Sequence, residues 1–329
     1  MRVFLTHNTE DRIAYFGRAL PELEAIAEVV VHPFDRDVDD DELLEHSAGC
    51  DVIVAHRSTP GSARLFAEHP DLLAFLRCAV DISTIDVAAA SRAGILVARA
   101  DKSFVPSTAE LALGLLLDLW RNIGASSRDY WHGGEPPQRP GRQLRGATAG
   151  ILGLGAIGAY LADLLRGVGM RVVAYEPLDI DVPGVERLSF DEVIAVSDVV
   201  FPLAPAIPST EHLIDAKVLG AMRPGASLVN VSRGELVDER AVIDALDAGT
   251  LGGFACDVGS APDQRPLPAL ARRSDVVSTP HLGGLTPENA DAQARSAVEQ
   301  VAAMIAGDMA PRAVNAEAAE RLRAWWAAG

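Results

Sequence analysis

Short β-branched and apolar runs alternate with stretches of helical periodicity along the whole chain. The runs are Val52-Ile53-Val54, Ile95-Leu96-Val97, Ile151-Leu152, Val172-Val173-Ala174, Val199-Val200-Phe201, Leu228-Val229-Asn230 and Val276-Val277-Ser278. Runs of strand length separated by amphipathic segments are the pattern of βαβ units, so an α/β fold built on parallel sheets is predicted. The opening MRVFLTHNTEDR reads as one more strand followed by polar residues. It lacks the basic-then-apolar order of a secretory signal, and cytoplasmic residence is the expectation.

The longest apolar run, Leu111 to Trp120, is interrupted by Asp118. It falls short of the roughly 20 residues needed to span a bilayer and reads as a buried helix. Ser107-Thr108-Ala109-Glu110, with Ser followed three positions later by Glu, predicts a capping box that opens this helix just after Pro106 and sends it towards Ile123. Thr286-Pro287-Glu288 is a second start signal, a cap residue followed by Pro at the first helical position. Between these two starts, residues 105–285 are expected to form a nucleotide-binding domain. Residues 1–104 and 286–329 would make a discontinuous partner domain. The Pro/Gly-rich stretch Gly133 to Gly141 reads as a surface loop, with an oligomer arm as the alternative.

Composition narrows the class. At 329 residues and 49% hydrophobic, the chain has material for two cores. A net charge of -17, with no Lys/Arg cluster along a helix, argues against nucleic-acid and anionic-membrane partners. Small molecules or other proteins remain. Cys50, Cys78 and Cys256 show no CxxC spacing, and the 8 histidines include no HxxxH or HExxH pair, so buried thiols and no metal are expected.

The strongest chemical signal is Gly153-Leu154-Gly155-Ala156-Ile157-Gly158, with a strand reading over Thr148 to Leu152 before it and a helix reading over Ala159 to Val168 after it. In a βα turn of this kind Gly153 permits the tight turn, Gly155 lets the backbone approach a pyrophosphate, and Gly158 allows close helix packing. The unpaired N–H groups at the helix start, Ala156 and Ile157 included, complete the anion site. Glu176 stands 18 positions past Gly158 (176 − 158), near the spacing of about 20 for an acid that binds a ribose hydroxyl. A carboxylate there repels a 2′-phosphate, and Pro177-Leu178-Asp179 follow without an Arg, so NAD is favoured over NADP.

Downstream, Asn230-Val231-Ser232-Arg233-Gly234-Glu235 follows one strand and Thr279-Pro280-His281-Leu282-Gly283-Gly284 another. Residues past the carboxyl ends of strands line the ligand crevice of an α/β sheet, so Arg233 and His281 are aimed at one cleft. Together with Leu144-Arg145-Gly146 and the glycine motif, these segments resemble the D-isomer-specific 2-hydroxyacid dehydrogenase family over nearly the whole chain. The resemblance implies a Rossmann-type doubly wound parallel sheet domain inserted into a second, flavodoxin-like α/β substrate domain. It implies hydride transfer between NAD(H) and C2 of a small 2-hydroxy or 2-keto acid, in a homodimer, with closure of two lobes over the site. It also implies that Arg233 grips the substrate carboxylate and polarises the keto oxygen, that His281 exchanges a proton with the 2-hydroxyl, and that Asp257 stands beside the nicotinamide carboxamide.

Two departures from the family pattern stand out. Where a Glu normally partners the catalytic His, this chain reads Asp257-Val258-Gly259-Ser260-Ala261-Pro262-Asp263. Asp263 either substitutes for that Glu or is a solvated loop acid. In the substrate loop the two usual glycines are lost from Arg77-Cys78-Ala79-Val80-Asp81-Ile82, leaving Ala79 and Val80 to present backbone N–H groups. Asp81 would repel a substrate carboxylate, so it either points away as a loop-structuring residue or meets a hydroxyl or cationic group. Ala55-His56-Arg57-Ser58-Thr59-Pro60 resembles the family's other substrate loop, where Arg57 and His56 have a substrate role or a surface one. The alternatives to the dehydrogenase are a non-catalytic NAD(H)-sensing scaffold, similar to corepressor relatives, and a formate or phosphite dehydrogenase.

Overall fold

The computed structural model describes residues 1–261 and 264–328, and the chain divides into two compact units. Unit 1 comprises Met1–Ser103 with Pro287–Gly329, and unit 2 comprises Phe104–Thr286.

Unit 1 is built on β1 (Arg2–Leu5), β2 (Glu28–Val31), β3 (Val52–Ala55), β4 (Ala74–Arg77) and β5 (Leu96–Arg99), in the order β2-β1-β3-β4-β5. Every pairing is parallel. β3 and β4 are buried at each position, and β3 accordingly reads as a continuous apolar run rather than an alternating one. One face of the sheet carries Phe4, Ile53 and Phe75, against which Phe66 of helix Ala63–Glu68 packs. The other is covered in part from the far end of the sequence: Ala294, Ala297, Val301 and Met304 of helix Pro287–Ile305 pack with Val3, Leu5 and Leu76. That packing makes the unit discontinuous in sequence. The chain passes from β1 to β2 on one side and then to β3 on the other, so the topological switch lies between the carboxyl ends of β1 and β3.

Unit 2 holds β6 (Thr148–Leu152), β7 (Arg171–Tyr175), β8 (Glu186–Arg187), β9 (Val199–Pro202), β10 (Ser227–Asn230), β11 (Gly253–Cys256) and β12 (Val276–Ser278). The order is β12-β11-β10-β9-β6-β7-β8. All pairings are again parallel, and the two faces carry separate apolar clusters, as a doubly wound sheet requires. The switch lies between β6 and β9. Helix Val105–Arg121 buries Ala109, Ala112, Leu115, Leu116 and Trp120, a stripe at three- and four-residue spacing, and Trp120 Nε1 donates to Ser227 Oγ at 3.0 Å.

The start of that helix corrects the capping-box expectation. The helix begins at Val105 with Pro106 in its first turn, Phe104 caps it without a side-chain bond, and the Ser107 hydroxyl donates to the Phe104 carbonyl. Proline's fixed φ favours the first helical turn, which places Ser107 inside the helix instead of at its cap. The helix stops at Asn122, which has a left-handed φ of 54°, and helix Ile123–Trp131 follows. Residues 133–143 form no helix or strand and are mostly exposed. Among the described residues, no helix is long and apolar enough to cross a membrane.

Candidate active site

The glycine turn leaves β6 at the switch point of unit 2. Gly153 has φ 109°, its N–H donates to the Tyr175 carbonyl at 2.9 Å, and a Cβ there would come within 2.9 Å of Ala204 N. Both the angle and the approach to the chain after β9 demand glycine. A Cβ on buried Gly158 would stand 2.2 Å from the Gly153 carbonyl oxygen. Gly155 is different: nothing lies within 4 Å of where its Cβ would be. It is the N-cap of helix Ala156–Gly167, offers no side-chain cap, and leaves the first-turn N–H groups of Ala156, Ile157 and Gly158 beyond the reach of the helix's own bonding. Open space beside uncapped amides at a helix start fits a pyrophosphate.

Glu176 follows β7 next to this turn. Its Oε2 accepts from Leu154 N at 2.8 Å and its Oε1 from Leu178 N at 2.9 Å, while Arg187 reaches back from edge strand β8 to the carbonyls of Glu176 and Leu178. A carboxylate held this way keeps lone pairs for hydroxyl donors, and its charge opposes a phosphate. The residues therefore fit NAD. Nothing local in the sequence points to Arg187, because its contacts return from a strand eleven positions on (187 − 176).

The other candidates follow the carboxyl ends of three adjacent strands. After β10, buried Asn230 closes a turn: its Nδ2 donates to the Arg233 carbonyl at 2.9 Å and its Oδ1 accepts from Ser232 N at 3.1 Å. Arg233 leaves this turn with an extended backbone and an exposed side chain. After β11, Asp257 is 1% exposed. Its Oδ1 accepts from Thr279 Oγ1 at 2.6 Å and Leu282 N at 2.7 Å, its Oδ2 accepts from Gly283 N at 2.8 Å, and its carbonyl accepts from His281 N at 2.9 Å. After β12, His281 has φ 63°, a strained value for a residue with a side chain, and is half-buried. The loop around it is thus held by one buried carboxylate.

Asp263 lies outside the described residues. Gly259, at a departure from the family pattern, has a packing reason: a Cβ on Gly234 would come 2.2 Å from the Gly259 carbonyl carbon, and one on Gly259 would come 2.4 Å from Pro266 Cα. Ser260 donates to the buried carboxylate of Glu239. Asn230, Thr279 and the Glu239–Ser260 pair carried no assigned role in the sequence reading. An Asn at a strand end two residues before a Ser is the one local signal among them.

In unit 1, Arg57 follows β3 and is exposed, and Ala79 and Val80 follow β4 and are half-buried. Neither they nor Asp81 has a positive φ, so the lost glycines remove no conformational freedom that this loop uses. Asp81 Oδ1 accepts from Ser83 N at 2.9 Å, a loop-structuring bond. Arg233, Asp257 and His281 share one sheet edge of unit 2, whereas Arg57, Ala79, Val80 and Asp81 share the corresponding edge of unit 1.

Residues 113–283 match the model of the D-isomer specific 2-hydroxyacid dehydrogenase, NAD binding domain. A D-3-phosphoglycerate dehydrogenase of Mycobacterium tuberculosis is 35% identical over 282 residues, 84% of this chain and 53% of that protein. A glyoxylate reductase of Korarchaeum cryptofilum is 30% identical over 325 residues, 92% of this chain and 96% of that protein. The crystal structure of a Thermus thermophilus protein, TT0316, superposes with a TM-score of 0.84 at 30% identity, covering 95% of this chain and 100% of that one. The chain belongs to the D-isomer specific 2-hydroxyacid dehydrogenase family, and its cofactor is NAD. It spans about half the length of the phosphoglycerate dehydrogenases it matches.

Proposed function

We propose that the chain is an NAD-dependent oxidoreductase acting on the CH–OH group of a small 2-hydroxy acid, or on the keto group of the matching 2-keto acid. The observation that carries this reading is the placement of Arg233 and His281 just past β10 and β12, on either side of the Asp257 clamp after β11. NAD(H), when bound, exchanges a hydride with C2. Arg233 offers a planar, permanently charged fork that takes the carboxylate and polarises the C2 oxygen. In reduction, protonated His281 gives its proton to that oxygen; in oxidation, neutral His281 takes the hydroxyl proton. Asp257, which fixes the loop, would stand beside the carboxamide.

Unit 2 is then the NAD-binding domain and unit 1, through Arg57, Ala79, Val80 and Asp81, the substrate domain. Three free, buried cysteines accord with cytoplasmic residence. Homodimer formation is supported by helix Ile123–Trp131, which exposes Ile123, Tyr130 and Trp131, the last at 83%. The test is NADH absorbance with glyoxylate, hydroxypyruvate and phenylpyruvate: turnover of at least one supports the reading. Tight NADH binding with none turned over favours the sensing scaffold, which the Ala261 substitution for the usual Glu keeps in play.

A further inference from the structure

Arg187 stands on edge strand β8, paired in register with Ala174 of β7, two residues before Glu176. From there a single nitrogen, Nη2, donates to the Glu176 carbonyl at 2.7 Å and to the Leu178 carbonyl at 2.8 Å. The turn Glu176-Pro177-Leu178 is thus wrapped around one guanidinium. Leu178, held through its carbonyl, in turn donates its N–H to Glu176 Oε1 at 2.9 Å, so whatever fixes the turn also fixes one of the two main-chain donors to that carboxylate. Asp179 lies 3.5 Å from Arg187 Nη1, but its side chain is fully exposed. An exposed ion pair is worth little, whereas donation from a charged group to two carbonyls is worth more. A second arginine closes the far end of the same connection: Arg166, in the last turn of helix Ala156–Gly167, donates from Nη1 to the Pro183 carbonyl at 2.9 Å, and a Cβ on Gly184 would run into its guanidinium. The two ties are separate.

We infer that Arg187 is a positioning residue for the cofactor: by holding residues 176–178 it keeps the Glu176 carboxylate preorganised for the ribose, and so sharpens the choice of NAD over a cofactor with a 2′-phosphate. The inference rests on the reading of Glu176 as the ribose acid. Without Arg187 the two carbonyls turn to water and the turn loosens. Glu176 then keeps only the Leu154 N–H as a donor in a fixed place. A carboxylate free to swing gives the ribose less, because its ordering must be met on binding, and it also yields to a phosphate instead of opposing it.

The experiment titrates NADH and NADPH calorimetrically into wild-type protein, R187A, R166A and E176Q. Arg187 is exposed on its edge strand, so its truncation leaves the core intact. Wild type is expected to prefer NADH, and E176Q to narrow that preference at least about tenfold. R187A is expected to weaken NADH at least about fivefold and to narrow the preference at least about threefold. R166A, which unties the other end of the connection, is expected to keep the preference within about twofold of wild type. A staple that merely stiffens the loop would act alike at both ends. An unchanged preference in R187A, whatever its NADH affinity, or an equal narrowing in R166A overturns the inference. No preference in wild type, or none lost in E176Q, removes the ribose-acid reading and the inference with it. Because binding alone is measured, the dehydrogenase reading stands or falls separately.

Discussion

Asp257 grips His281 twice over: its carbonyl accepts the His281 N–H at 2.9 Å, and its carboxylate takes the next two main-chain N–H groups, those of Leu282 and Gly283. A left-handed histidine persists only where the surroundings over-determine it, and here one buried side chain does so. Asp257→Asn turns one acceptor oxygen into a donor facing an N–H. It should cost about 1–3 kcal/mol in urea unfolding and lower kcat as the loop loosens. Unchanged stability would show that the clamp is dispensable.

The two glycines flanking Leu154 should separate folding from cofactor binding. Gly153→Ala meets both a φ of 109° and a contact at 2.9 Å, and should cost about 1–3 kcal/mol of stability. Gly155→Ala places its methyl in open space, so stability should stay within about 0.5 kcal/mol. NADH binding, measured by fluorescence titration, should nevertheless weaken at least about tenfold, because that space is where the pyrophosphate approaches. If Gly155→Ala binds NADH normally, the cofactor does not use this turn.

Stability should fall in mild acid for a reason seated in unit 1. Burial, then the charges of His56, Arg12 and Arg77, hold the His7 pKa well below 6.5; His56 and His69 are lowered too, chiefly by burial. For His56 the carboxylates of Asp11 and Asp37 oppose the shift without reversing it. In the folded protein these rings stay neutral while the unfolded chain begins to bind protons near pH 6.5. The stability they contribute is therefore full above about pH 6.5 and lost as pH falls below it. His7→Phe should flatten the slope of unfolding free energy between about pH 6.5 and 5. An unchanged slope would mean that His7 titrates normally in the fold.

The sequence exposed what is decided locally. β3, β6 and β9 are buried throughout and were legible as strand runs, and the Gly153–Gly158 turn carries its own conformational demand. Helix Val105–Arg121 was legible as an apolar run, but its start was not, because Pro106 competes with Ser107 for the first turn. The contacts that organise the candidate site were hidden for a different reason. Asp257 meets residues up to 26 positions away and Arg77 reaches back 21, pairings that exist only once parallel strands lie side by side in register. The two glycines missing near Ala79 depart from the family pattern, but Ala79, Val80 and Asp81 have no positive φ, so the backbone here does not call for glycine.

If His281 moves a proton during hydride exchange at C2 of a small acid, its removal must cripple turnover and spare the cofactor. NADH absorbance under saturating cofactor, with glyoxylate, hydroxypyruvate and phenylpyruvate offered to wild-type protein and His281→Ala, tests this directly. Turnover of at least one acid by the wild type is expected, with a loss of at least about 100-fold in the variant and NADH binding retained. Turnover that is indifferent to His281→Ala would contradict a proton-transfer role for this residue.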